Sequence, residues 1–268
     1  MTAQSATITP AAVAVLRPAM FLGFGTVFRK ELTEWFRGPK AAIVAGVSVV
    51  SAIFMTLIPF IAKATGEAEA AGLLSMDPTV NVLLAYTDRL TMAFIVVVST
   101  MALLSSERDR GTLAWSMTNP VSPAAIIAAK FVAAFAILTL VAIVLQLAVS
   151  IGLATVAYGS LPDLRIIGTF AGLYLALPAF YVALTVGFGA AIKSTAGVAG
   201  AAFAVMFIPQ ILSGLIPVIG EISPTSIGMW AMAIAKGEPA SMLTLVGWAV
   251  AMVVIIVGAK LVFDRQEL

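Results

Sequence analysis

The chain has 268 residues, of which 61% are hydrophobic and only 10% are charged, and its mean hydropathy is +1.09. Soluble domains usually contain roughly 45–50% apolar residues, so this composition indicates a membrane protein and leaves no room for a long soluble domain. The sequence contains no Cys and no His. Zinc sites and most nucleophile–base pairs use these residues. An embedded hydrolase or metalloprotease is therefore disfavoured, while carboxylate or lysine chemistry stays open.

Six uncharged runs are long enough, or nearly long enough, to cross a bilayer. A spanning helix needs about 20 apolar residues, because roughly 30 Å of hydrocarbon is crossed at about 1.5 Å per residue. The second run has only 17 residues, between Arg89 and Glu107, and reaches full length only if its helix begins near residue 82. We predict an all-α membrane protein with a single domain, 1–268. Its spans lie at about 41–62, 82–104, 124–157, 166–192, 195–219 and 241–262.

Positive charges are distributed unequally between the two sides of this topology. If the N-terminus is cytoplasmic, the inner segments hold eleven Lys and Arg against six Asp and Glu, and the outer segments hold four against seven. Cytoplasmic segments retain positive charge. We therefore expect both termini to lie in the cytosol.

Residues 21–37, FLGFGTVFRKELTEWFR, predict an amphipathic helix before the first span. At about 100° per residue, Phe21, Phe24, Phe28, Leu32 and Trp35 share one face. The segment is too charged to span, so we expect it to lie in the membrane interface, as a plain anchor or as a docking element for a cytosolic partner. Gly38-Pro39 should end it. Its charged residues are Arg29, Lys30, Glu34 and Arg37, which fall on the opposite face, and Glu31.

The densest group of charges, at residues 107–110, directly follows the second predicted span. Asn119-Pro120 then breaks the chain, and Ser122 with Pro123 supplies the N-cap and first-turn chemistry of the third span. The sequence therefore predicts a separate cytosolic element at 106–118. By itself, this element could be an orientation signal or a contact for a partner.

The middle thirds of the predicted spans contain no charge. Secondary transporters usually keep ionisable groups there for ion coupling, so this pattern argues against proton-driven transport. Asp88 and Arg89 are the exception to this argument, because the pair could either snorkel to the outer boundary of the membrane or line a cavity. The candidate path-lining residues are Asp88, Arg89, Gln146 and Gln210.

The last two predicted spans carry two further patterns. Ala196, Gly200 and Ala204 recur every four positions, which lets a neighbouring helix approach closely, either within the chain or from a second copy. Residues 214–241 are apolar but interrupted by Pro and Gly. They predict short, broken helices at or dipping into the outer interface, with Trp230 at headgroup depth.

The sequence contains no G-x-x-x-x-G-K-[ST] phosphate loop. We therefore expect that this chain binds no nucleotide and is not itself an enzyme. If ATP energises it, a separate polypeptide must supply the ATPase.

The stretch SSERDRGTLAWSMTNPVSPAAIIAAK, residues 105–130, resembles the signature of the ABC-2 family of ATP-binding-cassette transporter permeases. In that signature, Glu-Arg-(x)-(x)-Gly-Thr-Leu closes the second helix and Pro-Val-Ser opens the third. Here Pro-Ala-Ala follows Pro-Val-Ser in place of the charged residues often seen in the family. The matching positions are Glu107, Arg108, Arg110, Gly111, Thr112, Leu113, Pro120, Val121, Ser122 and Lys130.

The resemblance implies a mechanism as well as an arrangement of helices. Residues 106–118 would form a coupling helix seated in a groove of a nucleotide-binding subunit, with the interface helix beside it. Two permease copies, or one copy and a homologue, would meet through the fifth helix and bind two ATPase subunits, which carry ATP and Mg. We expect an exporter of a hydrophobic or amphipathic compound in a bacterial inner membrane, in contact with lipid and not with nucleic acid. A secondary carrier or channel, and a sensor or scaffold subunit, are the alternatives.

Overall fold

The structure, a computed structural model, describes residues 21–65, 77–86, 89–109 and 121–264. Within these ranges all regular secondary structure is helical. Five stretches are long and apolar enough to cross a membrane, and Thr91–Glu107 is a shorter apolar stretch. An all-helical membrane fold is thus confirmed, while the six-span layout stays a prediction. The five stretches are Lys40–Ala62, Ala124–Tyr158, Leu164–Ala191, Thr195–Ser213 and Met242–Val262.

The predicted amphipathic segment forms helix α1, Phe24–Arg37, and α2 follows directly at Lys40–Thr65. Gly23 precedes α1 in a left-handed conformation, with φ of 83°. Gly38 ends α1 in an extended conformation, which agrees with the break expected at Gly38-Pro39. The chain therefore turns from the interface helix into the first membrane helix within two residues.

The region predicted as the second span is not one continuous helix. Asp77 caps α3, Pro78–Leu84, by accepting a hydrogen bond from Thr79 N at 2.7 Å. After a turn at residues 85–86, α4 spans Arg89–Thr100, and after a second turn at residues 101–104, α5 spans Ser105–Asp109. The first turn is stabilised by tertiary contacts, since the Tyr86 ring packs edge-on against two other aromatic rings, Phe170 and Tyr174.

The longest of the five apolar stretches has 35 residues, from Ala124 to Tyr158, and corresponds to the third predicted span. It comprises α6, Pro123–Leu138, a π-helical segment, Thr139–Val144, and α7, Leu145–Tyr158. As predicted, Ser122 caps it, its hydroxyl oxygen accepting from Ala125 N at 3.1 Å. At 1.5 Å per residue the stretch is about 50 Å long, which exceeds the hydrocarbon thickness of roughly 30 Å. Its first turns therefore have room to extend beyond the hydrocarbon.

Helices α8, Leu164–Tyr174, and α9, Ala176–Ala191, meet at Leu175 and form the apolar stretch Leu164–Ala191, which corresponds to the fourth predicted span. Side chains along most of α9 are buried, including Tyr181 and Leu184, and α9 packs against α4 and α6. The Trp248 indole N–H donates to the carbonyl oxygen of Ala176 at 2.9 Å. Helix α9 is thus at the centre of the bundle.

The rest of the chain contains two long helices and the broken segment expected between them. Helix α10, Thr195–Ser213, ends six residues before the predicted boundary at 219. The segment consists of α11, Pro217–Ile222, a 3₁₀ turn, Pro224–Ser226, and α12, Ile227–Lys236. Helix α13, Met242–Asp264, then packs against α9 and α11. Trp230 of α12 is partly buried against the core.

Candidate coupling site

Four charged side chains from three helices meet at one end of the bundle. Lys30 and Glu31 come from α1, Glu107 from α5 and Lys130 from α6. Helix α1 packs along α6, and this packing turns Glu31 and Trp35 inward. We call these four residues, with Glu34, the charge network.

Lys130 is the centre of the charge network. Its ammonium nitrogen is 2.7 Å from Glu31 Oε1 and 2.9 Å from Glu107 Oε2. Only 2% of the Lys130 side chain is exposed, against 3% for Glu31 and 13% for Glu107. One buried cation on α6 therefore binds a carboxylate from the interface helix and a carboxylate from α5.

Lys30 closes the charge network on its solvent side. Its ammonium group donates a hydrogen bond to Glu107 Oε1 and is 3.5 Å from Glu34 Oε1 and 3.9 Å from Glu31 Oε1. One carboxylate oxygen of each of Glu31, Glu34 and Glu107 lies within 4.8 Å of the others. Three acids this close repel one another, and the two lysines offset that repulsion.

Burial and neighbouring charge move the pKa values of the two inner acids in opposite directions. Burial raises the pKa of Glu31 above its ordinary value, because the cost of desolvating the carboxylate outweighs its attraction to Lys130. Burial would also raise the pKa of Glu107, but the ammonium groups of Lys130 and Lys30 outweigh it and hold that pKa below its ordinary value. Glu107 therefore carries its charge at neutral pH.

Two further contacts attach α1 to the start of α6. The backbone N–H of Ser122 donates to the carbonyl oxygen of Leu22 at 3.1 Å. A Cβ atom on Gly23 would lie 2.8 Å from a methyl carbon of Val121, so that position requires glycine for its space as well as for its positive φ. Residues 22–23, before α1, and residues 121–122, before α6, thus lie against each other.

Trp35 does not occupy the lipid-facing position that the helical periodicity predicts. Only 2% of it is exposed, and the Lys40 ammonium lies 4.0 Å from the centre of its ring, in a cation–π geometry. Phe21 and Phe36 are the outward aromatic residues of this region. The inward face of α1 is therefore mixed, with an aromatic ring and a carboxylate one turn apart.

A family comparison agrees with this geometry. The model of the family described as "ABC-2 family transporter protein" matches residues 26–229. This range is most of the chain and contains the whole charge network. The chain belongs to this family. It is a membrane permease subunit of an ATP-binding-cassette transporter. No curated protein matches the chain at a significant level.

The structure of this ABC-2 permease describes only part of the predicted coupling element. Glu107 is in α5, and Val121 contacts the region of Gly23. Arg108 belongs to α5, but its side chain lies outside the described residues. The coupling residues outside the described ranges are Arg110, Gly111, Thr112, Leu113 and Pro120.

The charged residues of the interface helix separate into two groups. Arg29, Glu34 and Arg37 are exposed and remain available to a headgroup or a protein surface. Glu31 is buried, and Lys30, although partly exposed, is turned toward Glu107. The outer group therefore fits the predicted docking surface, whereas the inner pair belongs to the permease's own packing.

The other predicted site residues are distributed through the bundle. Gln146 is buried, and Gln210 is partly buried in α10. Asp88 and the side chain of Arg89 lie outside the described residues. Ala196 and Gly200 are exposed on the outside of the single permease, and Ala204 is half-buried. An exposed row of small residues is compatible with packing against a second copy, and this role stays a prediction.

The sequence pattern places Glu31 in the interface helix and Lys130 in the family signature, but it does not pair the two residues. A signal was available, because Lys130 is the one charged residue between Arg110 and Asp163. A lysine inside so long an uncharged run is costly to bury without a partner. Which acid would pair with it depends on helix packing.

Proposed function

We propose that this ABC-2 permease exports a hydrophobic or amphipathic compound and is driven by a separate ATPase that acts on residues 106–118. The observation that carries the proposal is the double contact of Lys130 with Glu31 and Glu107. Because Glu107 lies at the start of the coupling element, a push on that element would be transmitted through Lys130 to α6 and through Glu31 to α1.

The direction of the Glu107 side chain refines the proposed mechanism. Its carboxylate points into the permease and binds two lysines, so Glu107 acts as an anchor of the element. Contact with the ATPase would then fall to later residues, with Arg110 supplying charge and Leu113 an apolar anchor. The exposed charges of α1 would lie beside that contact.

The cargo class is inferred from the spanning helices. Their middle thirds lack Asp, Glu, Lys and Arg, so a path between two such permeases would present apolar surface with a few amide and hydroxyl groups. A strongly charged cargo would lose its hydration in such a path without finding a counter-charge. A hydrophobic or amphipathic compound fits these properties. The second permease would pack on the row of small residues Ala196, Gly200 and Ala204.

ATP hydrolysis by the complex tests the coupling. The affinity-tagged permease is purified from its native membrane, and ATP hydrolysis by the preparation is measured. Arg110→Glu and Leu113→Ala are each expected to lower the co-purified ATPase activity by about tenfold or more, because a charge reversal or a lost anchor weakens the docking surface. The melting temperature of the permease should not change.

The matched control is Lys236→Gln, which alters a cation on the predicted outer side that pairs with Glu238. It should leave the ATPase activity unchanged. Two results would reject the proposal: full activity in both coupling variants, or cargo movement by purified permease without nucleotide. The second result would instead favour the carrier or channel, and hydrolysis with no cargo movement in any assay would favour the sensor or scaffold.

Cysteine labelling tests the proposed orientation. The natural chain has no cysteine, so Thr33→Cys in α1 and Glu238→Cys after α12 each introduce a single, exposed thiol. A membrane-impermeant maleimide should label residue 238 in intact cells and residue 33 only after permeabilisation, because positive charge is retained on the cytosolic side. Labelling of residue 33 from outside would invert the topology.

A further inference from the structure

A cavity of about 260 Å³ lies between α6, α9 and α13. Its walls include the apolar side chains of Ile127, Phe131, Val186 and Ile256, and Phe21, which precedes α1, also lines it. Its volume is that of several methylene groups, if each is taken to be about as large as a water molecule at roughly 30 Å³. The cavity is separate from the charge network, none of whose members lines it.

Small side chains create this cavity. Ala128 on α6 and Ala183 and Gly187 on α9 line it where larger residues would fill it. At Gly187 the helices approach closely, since a Cβ atom there would lie 2.8 Å from a methyl carbon of Ile255. The cavity is thus a gap between helices that are otherwise packed in contact.

The cavity lies next to the outward face of α13. Val253 and Val254 of that helix are 60% and 64% exposed, and Ile256, which lines the cavity, is 57% exposed. In a membrane, apolar side chains that are exposed on a spanning helix contact acyl chains. A lipid tail can therefore reach the cavity from the side without crossing a polar barrier.

Lys260 also lines the cavity. It is the one ionisable residue among those described as lining the cavity, and it lies near the end of the apolar stretch Met242–Val262. A lysine in this position extends its ammonium group toward the headgroup layer. There it attracts phosphate, with a contribution of about 1 kcal/mol for each cation near an anionic surface.

We propose that this cavity binds the acyl chain of an anionic phospholipid whose phosphate group contacts the ammonium group of Lys260. The apolar walls match the tail, and the one cation among the described lining residues, near the end of the apolar stretch Met242–Val262, matches the negative charge. The bound lipid would fill the gap between α6, α9 and α13 next to the residues that precede α1. This inference does not depend on ATP coupling or on the identity of the cargo.

Lipid titration with native mass spectrometry tests the site. The full-length permease in detergent is titrated with phosphatidylglycerol and, separately, with phosphatidylcholine carrying the same acyl chains. The first phosphatidylglycerol is expected to bind about fivefold more tightly than phosphatidylcholine, which corresponds to the contribution of one cation. Lys260→Gln should remove this preference, while Ala128→Phe should weaken binding of both lipids about tenfold or more by occupying the space of the tail.

Lys193→Gln is the matched control, because Lys193 is an exposed cation that does not line the cavity. It should keep the full preference. If Ala128→Phe does not fold, Ala124→Leu blocks the same wall one turn earlier. Three results would overturn the proposal. They are equal binding of the two lipids to the natural chain, a phosphatidylglycerol preference that remains in Lys260→Gln, and unchanged lipid affinity in the Ala128→Phe or Ala124→Leu variant. Unchanged affinity in that variant would mean that the lipid binds to another face of the permease.

Discussion

Replacing Lys130 with methionine is expected to lower the stability of the permease by about 3–5 kcal/mol. The change leaves the carboxylates of Glu31 and Glu107 buried or nearly buried, without the cation that lies 2.7 Å and 2.9 Å from them. For a chain of this size the apparent melting temperature should fall by roughly 10 °C. Thermal unfolding of the purified permease in detergent measures the effect.

Two companion variants test whether buried charge causes the loss of stability in Lys130→Met. Lys236→Met removes a lysine from a more exposed pair, with Glu238, and should cost about 1 kcal/mol or less. Adding Glu31→Gln and Glu107→Gln to Lys130→Met removes the two carboxylates that lost Lys130 as a partner, so the triple variant should regain part of the lost stability. Equal effects of Lys130→Met and Lys236→Met, or no recovery in the triple variant, would contradict the buried ion pairs.

Gly247→Ala is expected to lower the stability of the contact between α11 and α13 by about 3 kcal/mol or more. A Cβ atom at this position would lie 2.0 Å from the carbonyl oxygen of Ile222 and 2.9 Å from its carbonyl carbon. These are backbone atoms, so no side-chain rotation relieves the overlap. The hydroxyl of Thr244, which donates to the carbonyl oxygen of Glu221 at 2.6 Å, further restrains the end of α11 against α13.

Gly258→Ala is the control in the same helix, because a Cβ atom at Gly258 meets nothing within 4 Å. Alanine is the better helix former by about 1 kcal/mol, so this variant should unfold at the same temperature as the natural chain or higher. Limited proteolysis of Gly247→Ala should cut residues 214–241 first, since the contact is lost there. Matching melting curves for the two variants would mean that α11 does not approach α13 so closely.

The charge network also explains why the interface helix is more than an anchor. A helix held only by lipid contacts would direct its aromatic face outward, whereas α1 buries Trp35 and Glu31 against the permease. Lys30 and Lys130 then connect it to Glu107, at the start of the predicted coupling element. Any movement of the element must therefore move α1, break ion pairs, or do both.

Local chemistry made several features of this permease predictable from the sequence. The apolar composition indicated a membrane protein, and the uncharged runs placed the long helices to within a few residues, except at the second span and the end of the fifth. Ser122 before Pro123 predicted the start of α6, and Gly38-Pro39 predicted the end of α1. The Pro and Gly residues of 214–241 predicted short, broken helices there. Each of these depends on the few residues around it.

Tertiary packing alone decided the features that join distant parts of the chain. Glu31 and Lys130 are 99 residues apart, and Lys30 and Glu107 are 77 apart, so no helical periodicity could pair them. Likewise, the turn at residues 85–86 accompanies the packing of Tyr86 with Phe170 and Tyr174, and the need for glycine at position 247 comes from the backbone of Ile222. The sequence determined which segments are helical and apolar, because those properties are local. The partners of buried charges and the positions of close contacts were decided by the folded bundle, because desolvation and steric overlap depend on which helices become neighbours.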